Sequence, residues 1–196
     1  MPDSPALPNE WLIDACCSLN LATTGELNAI LQTPFAGRQL RWFLPEEVIA
    51  EAAFLRRGGT GEDAEARVPC DWESHFAAGV LARTDAQTEA ETELFVSLSQ
   101  VIDSGEAMCL ALASQRGWGL VTDDIKAQKW AGEVPYLSTL DLLKNWSDHH
   151  QIPASRLGAT LHQIRERARY GPPRRHLLRA WWLTNLSARE TNSISP

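Results

Sequence analysis

The sequence predicts a three-layer α/β fold, in which a central, mainly parallel sheet of four to five strands carries helices on both faces. Short apolar runs alternate with helical segments at roughly the spacing of βαβ units, and this order favours parallel strands. The chain has 196 residues, of which 44% are hydrophobic and 22% charged. It is therefore long and apolar enough for one domain, or one domain with an appendage, to bury a sizeable core.

The first half of the chain is predicted to contain two strands and three helices. Pro34 ends the first helix, and Pro45 suits the first turn of the second. The glycine-rich run 58–61 ends that second helix, so we expect a loop up to about residue 71; residues 68–82 fit no single element. In chain order, the predicted elements are a strand at 12–16, a helix at 25–32, a strand at 39–44, a helix at 45–57 and a helix at 84–102.

The second half begins with the clearest helix, which opens at Asp103 and ends at Gly117. Near the C-terminus, Leu157, Leu161 and Ile164 recur at helical spacing and therefore require a packing surface. The other predicted elements are a strand at 118–122, a helix at 123–131, a strand at 134–137, a helix at 139–146 and a last helix at 174–186.

Charge is distributed unevenly along the chain, whose net charge is −7. Residues 151–196 contain eight arginines and two glutamates, a net charge of +6, whereas the rest contains 10 basic and 23 acidic residues, a net charge of −13. An acidic body with a basic tail suggests a site that collects cations and a surface that meets polyanions. The alternative is that the basic helices simply pack on the protein's own acidic surface.

Compartment signals favour a cytoplasmic protein that does not enter a membrane. No apolar run approaches the roughly 20 residues that a membrane-spanning helix needs. The N-terminus lacks the basic and apolar regions of a secretory signal. The four cysteines show no Cys-x-x-Cys spacing, so reduced thiols are expected; they are Cys16, Cys17, Cys70 and Cys109.

Carboxylates occur where folding should bury them or bring them together. Asp14 ends one apolar strand, and Asp123 and Asp124 follow another, so these acids lie at carboxyl ends of predicted strands, where ligands of parallel sheets gather. Glu51 and Glu106 lie in two further acidic segments. Because a buried carboxylate is costly unless it is paired, protonated or bound to a cation, this set predicts a divalent metal site.

Oxygen ligands of this kind suit Mg²⁺ or Mn²⁺, which can activate water for hydrolysis of a phosphodiester. No rival catalytic motif is present, since the sequence lacks G-x-S-x-G, P-loop, G-x-G-x-x-G and H-E-x-x-H patterns. The adjacent His149 and His150 would point to different faces of a helix and make a poor chelate.

Structural alternatives exist for several of these acids. Asp103 and Glu106 have the spacing of a helix capping box. Asp123 or Thr122 could cap the following helix. Glu51 shares a short helix with other glutamates, where a solvated face is the ordinary outcome. These alternatives stay open on the sequence pattern alone.

Taken together, the acidic segments resemble the PIN-domain family, especially its VapC-like toxin ribonucleases. Family members have a strand ending in an acid, an acid on an early helix, an acid opening a later helix, and a strand ending Thr-x-Asp. Leu-Ile-Asp-Ala at 12–15 is similar to the first, Pro-Glu-Glu-Val-Ile-Ala-Glu at 45–51 to the second, Gly-Glu-Ala at 105–107 to the third, and Leu-Val-Thr-Asp-Asp at 120–124 to the fourth. The resemblance covers residues 10–147.

The resemblance implies a metal-dependent endoribonuclease, a hydrolase of RNA phosphodiester bonds, and possible membership of a toxin–antitoxin pair. It implies Mg²⁺ or Mn²⁺ as the cofactor, an antitoxin protein as a partner and a homodimer. The implied catalytic and metal-binding residues are Asp14, Glu51, Glu106 and Asp124, and Asp123 and Asp103 would be outer or backup ligands. The third acid departs from the toxins, most of which have Asp where this chain has Glu106.

The tail beyond residue 148 is not covered by the resemblance. We expect a PIN-like nuclease domain at 8–148, a basic helical extension packed on it at 149–190, and a flexible tail at 191–196. The extension could be structural, bind a partner or bind nucleic acid; the predicted nucleic-acid-binding residues are Arg165, Arg167, Arg169, Arg174 and Arg175. Two other functions remain open: a catalytically inactive PIN-like protein-binding or regulatory module, and a DNA nuclease of the same fold.

Overall fold

The computed structural model describes residues 7–59 and 62–187, without the side chain of Glu62. Predictions for the glycine-rich residues 60 and 61, and for the tail beyond residue 187, lie outside the described residues.

Five parallel strands form the central sheet, in the order β5-β2-β1-β6-β7, and two further strands form an antiparallel hairpin, β3-β4. The strands are β1 (Glu10–Ile13), β2 (Arg41–Pro45), β3 (Phe54–Arg56), β4 (Arg67–Pro69), β5 (Leu81–Thr84), β6 (Gly119–Val121) and β7 (Tyr136–Leu137). At the centre, Leu12 lies between Phe43 of β2 and Leu120 of β6. The prediction of an α/β fold with a mainly parallel sheet is confirmed.

Ten α-helices, one 3-10 turn and one π-helical turn surround these strands in the described part of the chain. The helices are α1 (Ala15–Thr23), α2 (Leu27–Gln32), α3 (Glu46–Glu51), α4 (Trp72–Ala77), α5 (Glu89–Leu98), α6 (Ser104–Arg116), α7 (Ile125–Trp130), α8 (Thr139–His149), α9 (Ala154–Gln163) and α10 (Arg179–Ser187). A 3-10 turn covers Glu62–Glu65, and a π-helical turn covers Ile164–Ala168. None of the described helices is long and apolar enough to cross a membrane.

Both faces of the sheet are covered, as the central strand shows. Successive side chains of a strand point to opposite faces, yet Trp11, Leu12 and Ile13 are all at most 1% exposed. On one side, α6 contacts β1, β2 and β6. Its small residues Ala107 and Ala111 are fully buried, which lets the helix approach the strands closely.

Several predicted boundaries are wrong for identifiable reasons. The strand predicted at 12–16 ends at Ile13, because the Asp14 side chain caps a helix that starts at Ala15. The helix predicted at 45–57 stops at Glu51, and the loop expected after it contains a strand. The hairpin of β3 and β4 takes the place of the end of the predicted helix and part of the predicted loop. Its strands pair across a long connection, and local periodicity does not predict such pairing.

The C-terminal helices join the main core. Leu157, Leu161 and Ile164 are each at most 4% exposed and belong to the same hydrophobic cluster as the sheet, so the predicted packing surface is confirmed. The π-helical turn contacts α1 and β3, which brings this basic segment beside the hairpin. The last helix begins at Arg179 rather than 174, after the interruption by Gly-Pro-Pro at 171–173.

Candidate metal-binding carboxylate site

Two neighbouring strands bring the predicted acids to one edge of the sheet. Ile13 of β1 pairs with Val121 of β6, so the residues after each strand emerge side by side. The backbone N–H of Asp14 donates a hydrogen bond to the Val121 carbonyl at 3.1 Å. Asp14 and the run Thr122–Asp123–Asp124 therefore start from adjacent points at the carboxyl ends of parallel strands, as the sequence predicts.

Asp14 is the most deeply buried of these acids, with 1% of its surface exposed. Its Oδ1 accepts a hydrogen bond from the Cys17 N–H at 2.6 Å and so caps α1. Its Oδ2 is buried and has no hydrogen-bond partner among the described residues. Burial raises the pKa of Asp14 to about 6, and the Thr122 hydroxyl near the carboxyl group opposes the rise only in part.

Glu51 is the last residue of α3, and its side chain contacts the first turn of α6. Its Oε1 accepts a hydrogen bond from the Gly105 N–H at 2.8 Å, so a carboxylate from another helix stabilises the helix N-terminus. A Cβ at position 105 would lie 2.5 Å from Glu51 Oε2, so a larger residue there would displace the end of the Glu51 side chain. Asp103 occupies the N-cap position but forms no capping hydrogen bond, so the capping box with Glu106 is not formed.

Glu106 is the third residue of α6, directly after Gly105. It is half-buried, and its carboxylate forms no hydrogen bond or ion pair with any described residue. Burial raises the pKa of Glu106 to about 7, and the charges of Asp124, Asp14 and then Asp103 and Glu51 add to this effect. The mutual repulsion means that all four predicted acids contribute to one negative field.

Asp124 caps the helix that follows β6. Its Oδ1 accepts hydrogen bonds from the N–H groups of Lys126 and of Ala127, the latter at 3.3 Å. The Thr122 hydroxyl oxygen accepts from the Asp124 N–H at 3.1 Å and fixes the turn between the strand and the helix. Asp124 therefore caps α7, and the prediction that Asp123 or Thr122 caps this helix is wrong.

Asp123 is directed into a buried polar network instead. Its Oδ1 accepts from the Thr139 N–H and its Oδ2 from the Asn20 side chain, both at 3.1 Å. Burial raises the pKa of Asp123, while the hydrogen bonds from Thr139 oppose this effect. Asp123 therefore connects β6 to α1 and α8, and its role as a metal ligand stays a prediction.

No group of three or more His, Cys, Asp or Glu side chains stands close enough to hold a metal ion within residues 7–59 and 62–187. Three of the acids turn one oxygen to a helix N-terminus; these are Asp14, Glu51 and Asp124. The donor set still fits a hard cation. Asp14 Oδ2 is buried without a partner, and the Glu106 carboxylate, whose pKa the charge of Asp14 helps to raise, has none either. Both lack the positive charge or donor that buried carboxylates require.

One cleft opens directly onto two of these acids. It measures about 290 Å³, and its lining includes Glu106 and Asp124 together with Asp103 and Lys126. Carboxylates beside a lysine give this cleft both the donors that bind a cation and a positive group for an anion. A larger cavity of about 720 Å³ lies at the amino ends of β2 and β5, and no acidic side chain lines it.

A second cleft, of about 390 Å³, lies beside Glu51 and is formed by the hairpin and the π-helical turn. We call it the arginine cleft; the residues that define it are Glu51, Phe54, Arg56, Glu65, Arg67 and Arg167. Sequence reasoning missed Phe54, Arg56 and Arg67, because it assigned them to a helix and a loop. The available signal was weak: two short runs flanking a glycine-rich segment, which is compatible with a hairpin.

The five arginines predicted to bind nucleic acid differ in their surroundings. Arg167 is half-buried, and it donates to the carbonyls of Arg56 at 3.0 Å and Thr23 at 3.4 Å. Arg169 pairs with Glu65 at 2.6 Å. The other three are exposed and form no ion pair with a described residue; they are Arg165, Arg174 and Arg175.

No protein-family model matches this chain, and no curated protein matches it. The likeness to PIN domains therefore depends on the order and spacing of the acidic segments in the sequence.

Proposed function

We propose that this protein is a metal-dependent endoribonuclease whose site is formed by Asp14, Glu51, Glu106 and Asp124. The observation that carries the proposal is the buried Asp14 Oδ2 without a hydrogen-bond partner, at the carboxyl end of the central strand. The cap of α1 accounts for Oδ1 of this side chain, whereas no described residue forms a hydrogen bond with Oδ2. A cation ligand is the role that a buried, unpaired carboxylate oxygen fits best.

Each acid contributes in a way that its contacts define. Asp14 is held by the start of α1, Asp124 by the start of α7 and Glu51 by the Gly105 N–H, so each offers its second oxygen from a fixed position. Glu106 has no such restraint, since no described residue hydrogen-bonds its carboxylate. Mg²⁺ or Mn²⁺ bound by these oxygens would lower the pKa of a water molecule and neutralise charge at a phosphodiester.

The substrate we propose is RNA, which follows from the PIN-like order of the acids. The same resemblance leads us to propose a toxin–antitoxin role, an antitoxin protein as partner and a homodimer. A DNA nuclease would use the same four carboxylates, so RNA and DNA are compared directly in the test below. A catalytically inactive module is less well supported, because buried polar atoms are ordinarily hydrogen-bonded, whereas Asp14 Oδ2 has no such partner.

Cleavage of labelled single-stranded RNA and of DNA of the same sequence tests this function, in Mn²⁺, in Mg²⁺ and in excess EDTA. Wild type is compared with Glu106→Gln, which removes charge from the acid without hydrogen-bond partners, and with Glu93→Gln, an exposed acid on α5. We expect metal-dependent cleavage of RNA that Glu93→Gln retains and Glu106→Gln loses. Equal rates in wild type and Glu106→Gln would contradict the proposed site, and cleavage of DNA alone would change the substrate.

A further inference from the structure

The arginine cleft combines positive charge with an exposed aromatic ring, next to one of the proposed catalytic acids. Its volume is about 390 Å³, and Glu51 lies on its border while also contacting the start of α6. The cleft thus adjoins the carboxylate site through a shared side chain. Its other walls come mainly from β3, β4 and the π-helical turn, none of which belongs to the central sheet, together with Glu65 of the 3-10 turn and Leu19 of α1.

The guanidinium groups of the cleft are held in place to different degrees. Arg167 is fixed by two backbone carbonyls, and the absence of a side chain at Gly58 makes room for it, since a Cβ there would lie 2.6 Å from Arg167 Cγ. Arg67 is exposed on β4 and forms no ion pair with a described residue. Fixed and unpaired guanidinium groups facing one space are well suited to phosphate oxygens.

The carboxylate of Glu65 is an anion that already lies among the guanidinium groups of the arginine cleft. It pairs with Arg56 through one oxygen and with Arg169 through the other, the latter at 2.6 Å. The Glu65 side chain is 67% exposed, so water screens both ion pairs and they contribute little to stability. An incoming phosphate could therefore replace this carboxylate at small cost.

An aromatic ring completes the cleft. The side chain of Phe54 is 52% exposed, although it is large and apolar. Aromatic rings beside arginines are the combination that binds single-stranded nucleic acid, because bases stack on the ring while the guanidinium groups follow the backbone. A double helix would hide its bases from such a ring, so the exposed Phe54 favours an unpaired strand.

We infer that the arginine cleft binds the unpaired RNA strand next to the bond that is cleaved, with Arg67 and Arg167 on its phosphates and a base stacked on Phe54. This inference deepens the proposed nuclease function and rests on it for the identity of the ligand. The hairpin β3-β4 would then be a substrate-binding element, and Glu51 would mark the boundary between the bound strand and the carboxylate site.

Fluorescence anisotropy with labelled single-stranded oligouridine in EDTA, where no metal-dependent cleavage occurs, tests the cleft separately from catalysis. The variants are Arg67→Ala, Phe54→Ala and Glu65→Gln in the full chain. Arg41→Ala is the matched control, because this exposed arginine lies at the amino end of β2, away from the acids. Thermal unfolding of each variant checks that the fold is retained.

We expect Phe54→Ala to weaken binding about tenfold through loss of stacking. Arg67→Ala should weaken it several-fold and make the plot of log affinity against log salt shallower by about 0.7, the loss of one phosphate contact to a single strand. Glu65→Gln should tighten binding, since it removes the competing carboxylate. Arg41→Ala should bind as wild type does.

Two results separate the cleft from the nuclease. If folded Arg67→Ala and Phe54→Ala bind oligouridine as wild type does, the cleft assignment is overturned even when metal-dependent cleavage is present. If the expected losses appear but no RNA is cleaved with Mn²⁺, the cleft assignment holds and the proposed catalytic function fails. Failure of wild type to bind oligouridine would also overturn the inference.

Discussion

The carboxylate of Glu51 caps a helix to which it does not belong: its Oε1 accepts a hydrogen bond from the Gly105 N–H at 2.8 Å. The contact joins α3 to the first turn of α6, where Glu106 follows at the next position. It therefore fixes one proposed metal ligand against the helical turn that carries another. The glycine is part of the arrangement, because a Cβ at position 105 would lie 2.5 Å from the second oxygen of Glu51.

Gly105→Ala tests this relationship. We expect the added methyl group to displace the Glu51 carboxylate and to lower Mn²⁺ affinity by about 10- to 100-fold, as is usual when a group that orients a ligand is lost. The free energy of unfolding should stay close to that of wild type. The displaced Glu51 contact lowers it, but alanine is favoured over glycine within a helix by up to about 1 kcal/mol, which offsets this loss. Calorimetric Mn²⁺ titration and urea unfolding measure the two quantities.

Gly171→Ala is the control for this substitution, since nothing lies within 4 Å of a Cβ built at that glycine. It should leave Mn²⁺ affinity unchanged. Wild-type Mn²⁺ affinity in folded Gly105→Ala would show that Glu51 does not contribute to the site.

Metal affinity should depend on pH near neutrality. The pKa values of Asp14 and Glu106 are raised to about 6 and about 7, chiefly by burial. Because a cation binds the ionised forms, we expect Mn²⁺ affinity to rise between pH 5.5 and pH 8, a range of about 2.5 pH units around these values. Glu106→Gln should bind Mn²⁺ more weakly and lose the upper part of this dependence. A flat profile in wild type would contradict the participation of both acids.

Asp14→Asn should stabilise the metal-free protein at pH 8. Burial raises the pKa of Asp14 from 3.8 to about 6, so the folded state holds a proton that the unfolded chain releases between these pH values. The stability of wild type therefore falls as pH rises through this window, whereas asparagine does not ionise. We expect the variant to be more stable by about 1–3 kcal/mol above pH 7 and nearly equal to wild type at pH 3.5.

Thermal unfolding with and without Mn²⁺ measures this effect. Added Mn²⁺ should raise the melting temperature of wild type by more than that of Asp14→Asn, because the variant lacks one of the four proposed ligands. Destabilisation of the metal-free variant at pH 8 would mean that ionised Asp14 stabilises the fold by itself, and that it needs no cation.

Glu91 and Arg116 form a separate structural pair with the opposite pH dependence. Glu91 is 4% exposed, and hydrogen bonds from Arg116, the shorter at 2.6 Å, hold the pKa of its carboxyl at about 2. Its stabilising effect is therefore complete above its unfolded pKa of about 4.5 and is lost as pH falls toward 2. Glu91→Gln should lower the free energy of unfolding by about 1–3 kcal/mol at pH 7 and by less at pH 3.

The exposed Glu93 on the same helix provides the comparison for this pair. Glu93→Gln should change stability by no more than about 0.5 kcal/mol at either pH. Urea unfolding at pH 7 and pH 3 measures both variants. A loss in Glu91→Gln that is equal at the two pH values would exclude a contribution from the ionised carboxylate.

The ends of β1 and β6 were predictable because an apolar run followed by an acid can be recognised from neighbouring residues alone. Asp14 and Asp124 were placed correctly at the carboxyl ends of adjacent strands for this reason. Their capping roles were not foreseen. The predicted strand ran through Asp14 to residue 16, whereas Asp14 caps α1, and the cap of α7 was assigned to Asp123 or Thr122 instead of Asp124. A cap and a strand end share the same residue type, so composition does not distinguish them.

Contacts between segments distant in the chain could not be predicted from the sequence. Glu51 and Gly105 are 54 positions apart, and the pairing of β3 with β4 crosses a glycine-rich connection. Both depend on how the chain returns on itself, which neither periodicity nor propensity reports. The arginine cleft was missed as a consequence, because it exists only once the hairpin and the π-helical turn come together.

The most direct test of the central claim is the cleavage of single-stranded RNA by wild type and Asp14→Asn, assayed side by side with Mn²⁺ and with EDTA. Circular dichroism of both proteins would verify that the substitution preserves the fold. We expect wild type to cleave only when Mn²⁺ is present and Asp14→Asn to have lost nearly all activity. Cleavage by Asp14→Asn at the wild-type rate, or cleavage that persists in EDTA, would contradict a metal-dependent site built on Asp14.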